Sequence, residues 1–157
     1  MGHRRKSRRI CNLALVIKTQ ICPAKGSAPQ VTDQLRLIRG SGIEGDWHQG
    51  WGKRDVCIWR KETLDWMEAQ PEPGFCFPKR KENLVLEGLE AFRPGDRLCF
   101  REVVLEVSDS AKHCFGEQCS YRMLGIPCKL RQEWQMARIL VSGVIHPGEE
   151  VTLQRRP

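Results

Sequence analysis

Cys114, Cys119 and Cys128 crowd into fifteen residues of the sequence. Lys112-His113-Cys114 follows the end of a strongly apolar run, Val103–Val107. A helix starting near Phe115 would set free backbone N–H groups beside the Cys114 sulfur, and Lys112 would add positive charge. Both favour thiolate over thiol, and the thiolate is the form that attacks electrophiles and binds metals. Cys114 is therefore the candidate nucleophile, with Lys112 as the residue that favours its charged form. The competing reading is a structural cysteine, a small buried hydrophobe.

The same three cysteines raise the question of a metal. Cys114-x4-Cys119-x8-Cys128 is not the paired C-x2-C spacing of a zinc ribbon. On a continuous helix, Cys114 and Cys119 would point roughly 140° apart around the axis and could share neither an ion nor a disulfide. A looped segment, allowed by Gly116, could bring them together. A zinc or iron–sulfur site on Cys114, Cys119 and Cys128 is thus the alternative, with His48, His113 or His146 as a fourth ligand.

Elsewhere, Ile43-Glu44-Gly45-Asp46-Trp47-His48 places an acid and an imidazole in a glycine-rich loop, where binding residues collect. Its plain alternative is a turn whose acids bond its own backbone. Asn83, opening a strand after Lys79-Arg80-Lys81, could bond a ligand amide or cap a turn. Lys53 and Arg54 could hold an anion or simply sit at a solvated hairpin end.

These residues need a scaffold, and 157 residues suffice for one domain with its own core. A composition of 40% hydrophobic and 29% charged residues argues against wholesale disorder. No apolar stretch approaches the ~18 residues of a membrane-spanning helix. The net charge of +7 is carried by Arg4, Arg5, Lys6, Arg8, Arg9, Arg155 and Arg156, leaving residues 10–154 formally neutral. A basic N-terminal tail over 1–10, a domain over 11–154 and a short basic tail over 155–157 follow. The N-terminal run suits non-specific phosphate attraction, but no motif supports specific nucleic-acid readout.

Ser7-Arg8-Arg9-Ile10 resembles an export signal only superficially, because the apolar stretch Leu13–Ile17 is shorter than the ~7–15 residues required and lacks a cleavage site. A reducing cytoplasm is the expected setting, and it suits unpaired thiols. Of the eight cysteines, Cys11, Cys57 and Cys99 lie within or beside apolar runs and are expected to pack as small hydrophobes.

Alternation and turn residues predict strands at 12–19, 31–39, 56–59, 83–86, 97–100, 103–108, 137–141 and 150–154. Lys61–Gln70 reads as a helix, with Leu64 and Met67 on one face and Pro71 ending it. Phe115–Leu124 holds one or two helical turns. Arg93-Pro94-Gly95-Asp96 is a turn. Seven or eight short strands that do not alternate with helices argue against a parallel βαβ sheet and for a mainly β, closed or half-closed barrel.

The motif order now becomes legible. Gly42-Ile43-Glu44-Gly45-Asp46-x-His48, Val56, Glu82-Asn83-Leu84 and Gly95-Asp96-x-Leu98 resemble the MOSC domain family, relatives of the C-terminal domain of molybdenum cofactor sulfurases. Leu105-Glu106-Val107, Lys112-x-Cys114, Cys119, Gly125-x-x-Cys128, Ala137-Arg138-Ile139-Leu140, Gly143-x-Ile145 and Gly148 extend the match from about Asn12 to Leu153. The pattern is most similar to small stand-alone bacterial members with three cysteines here.

The resemblance implies a β-barrel and a role around the molybdenum cofactor, molybdopterin. Cys114 would carry sulfur as a persulfide or ligate molybdenum, and Asp46, His48, Arg54, Asn83 and Arg138 would line the cofactor pocket. A sulfurtransferase or a molybdenum-dependent oxidoreductase activity would follow, with a sulfur donor or a molybdoenzyme maturation protein as partner. Departures from the family pattern are Phe115 in place of a histidine, one extra residue before Cys119, Arg101 in place of a glycine, Gly148-Glu149 for Gly-Asp, and no Met-Pro before Ala137. They leave the fold expectation intact and bear on the sulfur or metal chemistry.

Overall fold

The computed structural model describes residues 13–51, 55–72, 74–79, 81–108, 114, 116–133 and 135–157. The expected calls on Cys11, Arg54, Lys112, His113 and the basic run before Ile10 lie outside these residues. The fold is mainly β. Its strands are β1 (Leu15–Ile21), β2 (Gln30–Thr32), β3 (Leu35–Ile38), β4 (Gly42–Ile43), β5 (Val56–Arg60), β6 (Leu84–Glu87), β7 (Arg97–Cys99), β8 (Val104–Val107), β9 (Gln135–Val141), β10 (Gly143–Ile145) and β11 (Thr152–Gln154). The α-helices are α1 (Lys61–Glu68), α2 (Ser120–Met123) and α3 (Lys129–Glu133). None of the described helices is long and apolar enough to cross a membrane.

Eight strands form one sheet in the order β11-β7-β8-β9-β5-β6-β1-β2, and β10-β3-β4 form a second. The large sheet curls. At its far turn the start of β1 meets the run into β11: Leu15 pairs with Glu150, Val16 N–H donates to Glu149 O at 2.9 Å, and Val151 N–H donates to Ala14 O at 3.0 Å. Inside this curl lies the main core, including Val16, Leu37, Ile58, Leu86, Leu98, Leu105 and Ile145, all nearly inaccessible to solvent.

The β7–β8 hairpin follows from the alternation. Val103, Leu105 and Val107 are buried while Val104 and Glu106 are not, and Leu98 faces Leu105 across the ladder. Phe100 N–H donates to Val103 O at 2.9 Å and closes the turn over Arg101-Glu102.

Other expectations change. The strand read over 31–39 is two strands in two sheets: β2 pairs with β1, and β3 pairs with β10 and β4. The chain bends at Asp33, between them. Residues 129–133 form a helix that was not foreseen. Its Glu133 accepts from Arg60 at 2.9 Å and from the Thr63 hydroxyl, so α3 is anchored to the start of α1. The sheet also contains one parallel pair among the described strands, β5 with β6, and α1 is the crossover between them. Cys57 is buried as expected, whereas Cys99 is only half-buried.

Arg155–Pro157 is not a free basic tail. Arg155 donates to Asp96 at 2.8 Å, to Glu90 at 3.0 Å and to the Ala91 carbonyl at 2.8 Å, and the Arg156 N–H donates to Asp96 at 3.1 Å. Asp96 also accepts from Arg93 N–H at 2.8 Å within its own turn. Burial pushes the Asp96 carboxyl up, but the Arg93 and Arg156 N–H groups and the Arg155 guanidinium outweigh it and hold the carboxyl below its ordinary range.

Gly88 ends β6 with φ +86, and a Cβ there would sit 2.9 Å from the Leu13 carbonyl oxygen. A backbone oxygen beside β1 cannot move aside as a side-chain tip can. Gly88→Ala is expected to cost about 2 kcal/mol or more, left-handed strain plus clash. Gly26 has φ +74 with nothing within 4 Å of an added Cβ, so Gly26→Ala should cost only the strain, about 1 kcal/mol. Urea midpoints of the two variants measure the difference; equal costs would remove the clash from the account.

Candidate functional site

Two motifs far apart in sequence meet at Asp46. The chain leaves β4 in a tight loop in which Asp46 N–H donates to Ile43 O and Trp47 N–H donates to Cys22 O, at 3.1 and 2.8 Å. This pushes the Asp46 side chain inward, where it is 4% exposed. Its Oδ2 accepts from the Cys22 N–H at 2.9 Å and from Asn83 Nδ2 at 3.2 Å. Its Oδ1 accepts from the His48 N–H at 3.0 Å and lies 2.9 Å from His48 Nδ1. Burial pushes the Asp46 carboxyl up, but the Cys22 and His48 N–H groups and the His48 ring outweigh it, so the carboxyl lies below its usual range.

Asn83 stands just before β6, between β1 and β5. Its Oδ1 accepts from the Cys57 N–H at 3.0 Å, and its Nδ2 donates to Gln20 O at 3.2 Å as well as to Asp46. Asp46 and Asn83 therefore tie β1, β5, β6 and the glycine-rich loop into one hub. Their polar atoms are engaged with backbone, with the His48 ring and with each other.

His48, Trp47 and Trp51 form a ring cluster beside the hub, with centroid separations of 4.7, 4.7 and 5.3 Å. The Lys81 ammonium lies 5.6 Å from the Trp47 ring centre and 4.0 Å from Cys22 Sγ. Trp51 is 60% exposed. The Trp47 indole N–H is buried and has no partner among the described residues. The Lys81 carbonyl accepts from Cys57 Sγ at 2.7 Å and from Trp59 Nε1 at 2.8 Å, which links the hub to a second cluster.

That second cluster holds thiols and aromatics. Cys76, Cys119 and Cys128 pack, partly buried, against Cys57, Trp59, Met67, Phe77, Tyr121 and Leu130. The helix expected at Phe115 begins at Ser120, after a single 3-10 turn at Gly116–Gln118. The backbone N–H groups of Tyr121 and Arg122, joined by that of Phe75, therefore face Cys119. Burial pushes the Cys119 thiol up, but these three donors outweigh it and lower it below its ordinary value. Burial, and after it the nearby Cys128 and Cys119, push the Tyr121 phenol up.

The environment argued for Cys114 is thus found at Cys119, a residue singled out only as a metal ligand. The signal that could have found it is Gly116, which delays the helix. Cys114 itself is half-buried at the entry to the 3-10 turn. Among the described residues no group of three or more Cys, His, Asp or Glu is arranged to hold a metal ion.

Arg138 is not brought to the hub. It points outward from β9, paired with Glu106, which also pairs with Arg97 at 3.7 Å. His146 lies 3.4 Å from Glu149, in the turn before β11.

No protein-family model and no curated protein matches the sequence. Solved structures do share the fold. The YuaD protein from Bacillus subtilis superposes with a TM-score of 0.67 at 17% identity, covering 92% of this chain and 97% of that one. YiiM from Escherichia coli superposes with a TM-score of 0.58 at 21% identity, covering 91% and 71%. YiiM from Geobacillus stearothermophilus gives 0.51 at 19% identity, covering 92% and 74%. At these identities the likeness is one of fold.

Proposed function

We propose that this chain is a stand-alone MOSC-type domain that binds a molybdopterin-type cofactor or carries sulfur as a persulfide in its maturation. The observation that carries the reading is the convergence of Gly42–His48 and Glu82-Asn83, separated by more than thirty residues in sequence, at the Asp46–Asn83 bonds of one hub. The shared fold of the YuaD and YiiM structures supports it.

The residues fit such a group in two respects. Cys114 offers a partly accessible sulfur, a soft ligand suited to molybdenum. The Trp47 indole supplies a buried N–H without an acceptor among the described residues, which an anionic or carbonyl oxygen of the cofactor would satisfy. When bound, the cofactor supplies the redox-active or sulfur-accepting centre. Asp46 and Asn83 act by holding the loop and strands that frame it.

In the sulfur-carrying mode, the Cys114 thiolate attacks the sulfane sulfur of a donor persulfide. The new S–S bond forms as the donor's S–S bond breaks, and the donor thiolate leaves. The donor would be a persulfide-bearing protein, and the acceptor a molybdoenzyme maturation partner or its cofactor.

Cys114→Ser is expected to abolish both persulfide labelling and cofactor retention, measured by mass spectrometry of the purified protein under native and denaturing conditions. Cys99→Ser, at a half-buried cysteine on β7, should leave both unchanged. If Cys114→Ser alters neither, the reading fails.

A further inference from the structure

We propose that Asp46 and His48 form a proton-transfer dyad that deprotonates a flat aromatic or heteroaromatic acid held against Trp51. The inference shares the Asp46–His48 loop with the cofactor reading, but its test uses neither Cys114 nor a bound group.

The geometry fixes the imidazole. The Asp46 carboxylate is buried, ionised and aimed at His48 Nδ1 at 2.9 Å, so Nδ1 carries the proton and donates it. In the neutral ring the lone pair then lies on Nε2. That nitrogen has no partner among the described residues, and the side chain is 33% exposed. A base held by a second, buried group with its other nitrogen free is the arrangement that general-base catalysis requires. The main-chain N–H of His48 donates to the same Oδ1 at 3.0 Å, which locks the backbone as well as the ring.

The surroundings indicate the acid. Trp51 presents an open ring 5.3 Å from the imidazole, a stacking face for a planar substrate. Negative charge develops on the substrate as its proton leaves. The Lys81 ammonium, over the Trp47 ring of the same aromatic cluster, is the cation nearest that cluster among the described residues. In the step, the substrate C–H or N–H bond breaks, its electron pair stays on the substrate, and a new N–H bond forms at Nε2. Asp46 stabilises the resulting imidazolium, which returns its proton to product or to water. His48 is the catalytic residue and Asp46 its positioning residue.

The probe is 5-nitrobenzisoxazole, a planar carbon acid. Loss of its C3 proton breaks the N–O bond and releases a coloured cyanonitrophenolate. The full chain is expected to turn it over faster than the same concentration of free imidazole. Among the described residues, the charged group in contact with that ring is Asp46 on its own loop. His48→Gln, at a partly exposed position, should lower the rate about tenfold or more, the general-base contribution.

His146→Gln removes the other described imidazole outside this loop and should leave the rate unchanged. Asp46→Asn, if folded by circular dichroism, should lower kcat with KM little changed, because the imidazole loses the carboxylate that orients it; a purely structural carboxylate would leave kcat per folded protein in place. A His48→Gln rate equal to wild type, an equal loss in His146→Gln, or a wild-type chain no faster than free imidazole would each overturn the proposal.

Discussion

Asp46→Ala is expected to destabilise the domain by roughly 3–5 kcal/mol, the range for breaking a buried charge network. The carboxylate accepts from the Cys22 N–H, the Asn83 amide, the His48 N–H and the His48 ring. Alanine leaves buried donors without acceptors, each costing about 1–3 kcal/mol unless water enters. The effects are not additive, because all four bonds share one residue.

The pH dependence has a definite sign. The Asp46 carboxyl is lowered by folding, so its stabilisation is complete above the unfolded value of about 4 and is lost as pH falls through the lower folded value. The gap between wild type and Asp46→Ala should be constant near neutrality and narrow below about pH 4. Urea unfolding across that range measures it. A neutral-pH cost below about 1 kcal/mol, the scale of a solvent-exposed pair, would refute the hub.

Trp59→Ala should be nearly as damaging, at about 3–5 kcal/mol. Trp59 is fully buried near the end of β5 and sits with Cys57, Met67, Phe77, Tyr121 and Leu130. Its removal opens a cavity between the sheet and the thiol–aromatic cluster. The bond from its indole N–H to the Lys81 carbonyl at 2.8 Å is also lost, but that carbonyl keeps Cys57 Sγ as a donor at 2.7 Å. Trp59→Phe should therefore lose mainly volume and cost distinctly less. Denaturant midpoints with near-ultraviolet circular dichroism compare the two; equal costs would mean the cluster collapses around the loss, and cavity formation would be the wrong account.

The barrel class and the β7–β8 face were legible because period-two alternation at Val103, Leu105 and Val107 is a local property of the chain. The break at Asp33 was not legible. A run from Val31 to Ile38 looks continuous, and alternation says nothing about which sheet a strand joins. Val31 is 71% exposed whereas Leu35 and Leu37 are buried. β4 and β10 have two and three residues and exist through pairing with β3, not through propensity. α3 is likewise held by Glu133 on Arg60 and Thr63, a tertiary contact. The α1 crossover was hidden because a single βαβ unit inside a largely antiparallel sheet leaves no repeated alternation of strands and helices.

At the site, Asp46, His48 and Asn83 drew notice as polar residues in a glycine-rich loop and at a strand entry, and the fold brings their side chains into contact. Their partners are mostly backbone atoms of Gln20, Cys22 and Cys57, and backbone partners leave no trace in sequence. The reading of the thiols turned on where a helix begins. Moving that start from Phe115 to Ser120 transfers the backbone donors from one cysteine to another.

The meeting of β1 with the run into β11 has a consequence for the order of assembly. Leu15 and Glu150 lie at nearly opposite ends of the described chain. Their contact requires almost the whole polypeptide to be closed into one loop, an entropic cost that local hairpins avoid. During synthesis the β7–β8 hairpin can pair as soon as it is released, while the start of β1 must wait for residues 149–151. Until those residues arrive, the Ala14 carbonyl and the Val16 N–H lack the partners that join the two ends. Residues 149–151 therefore decide when the start of β1 is covered.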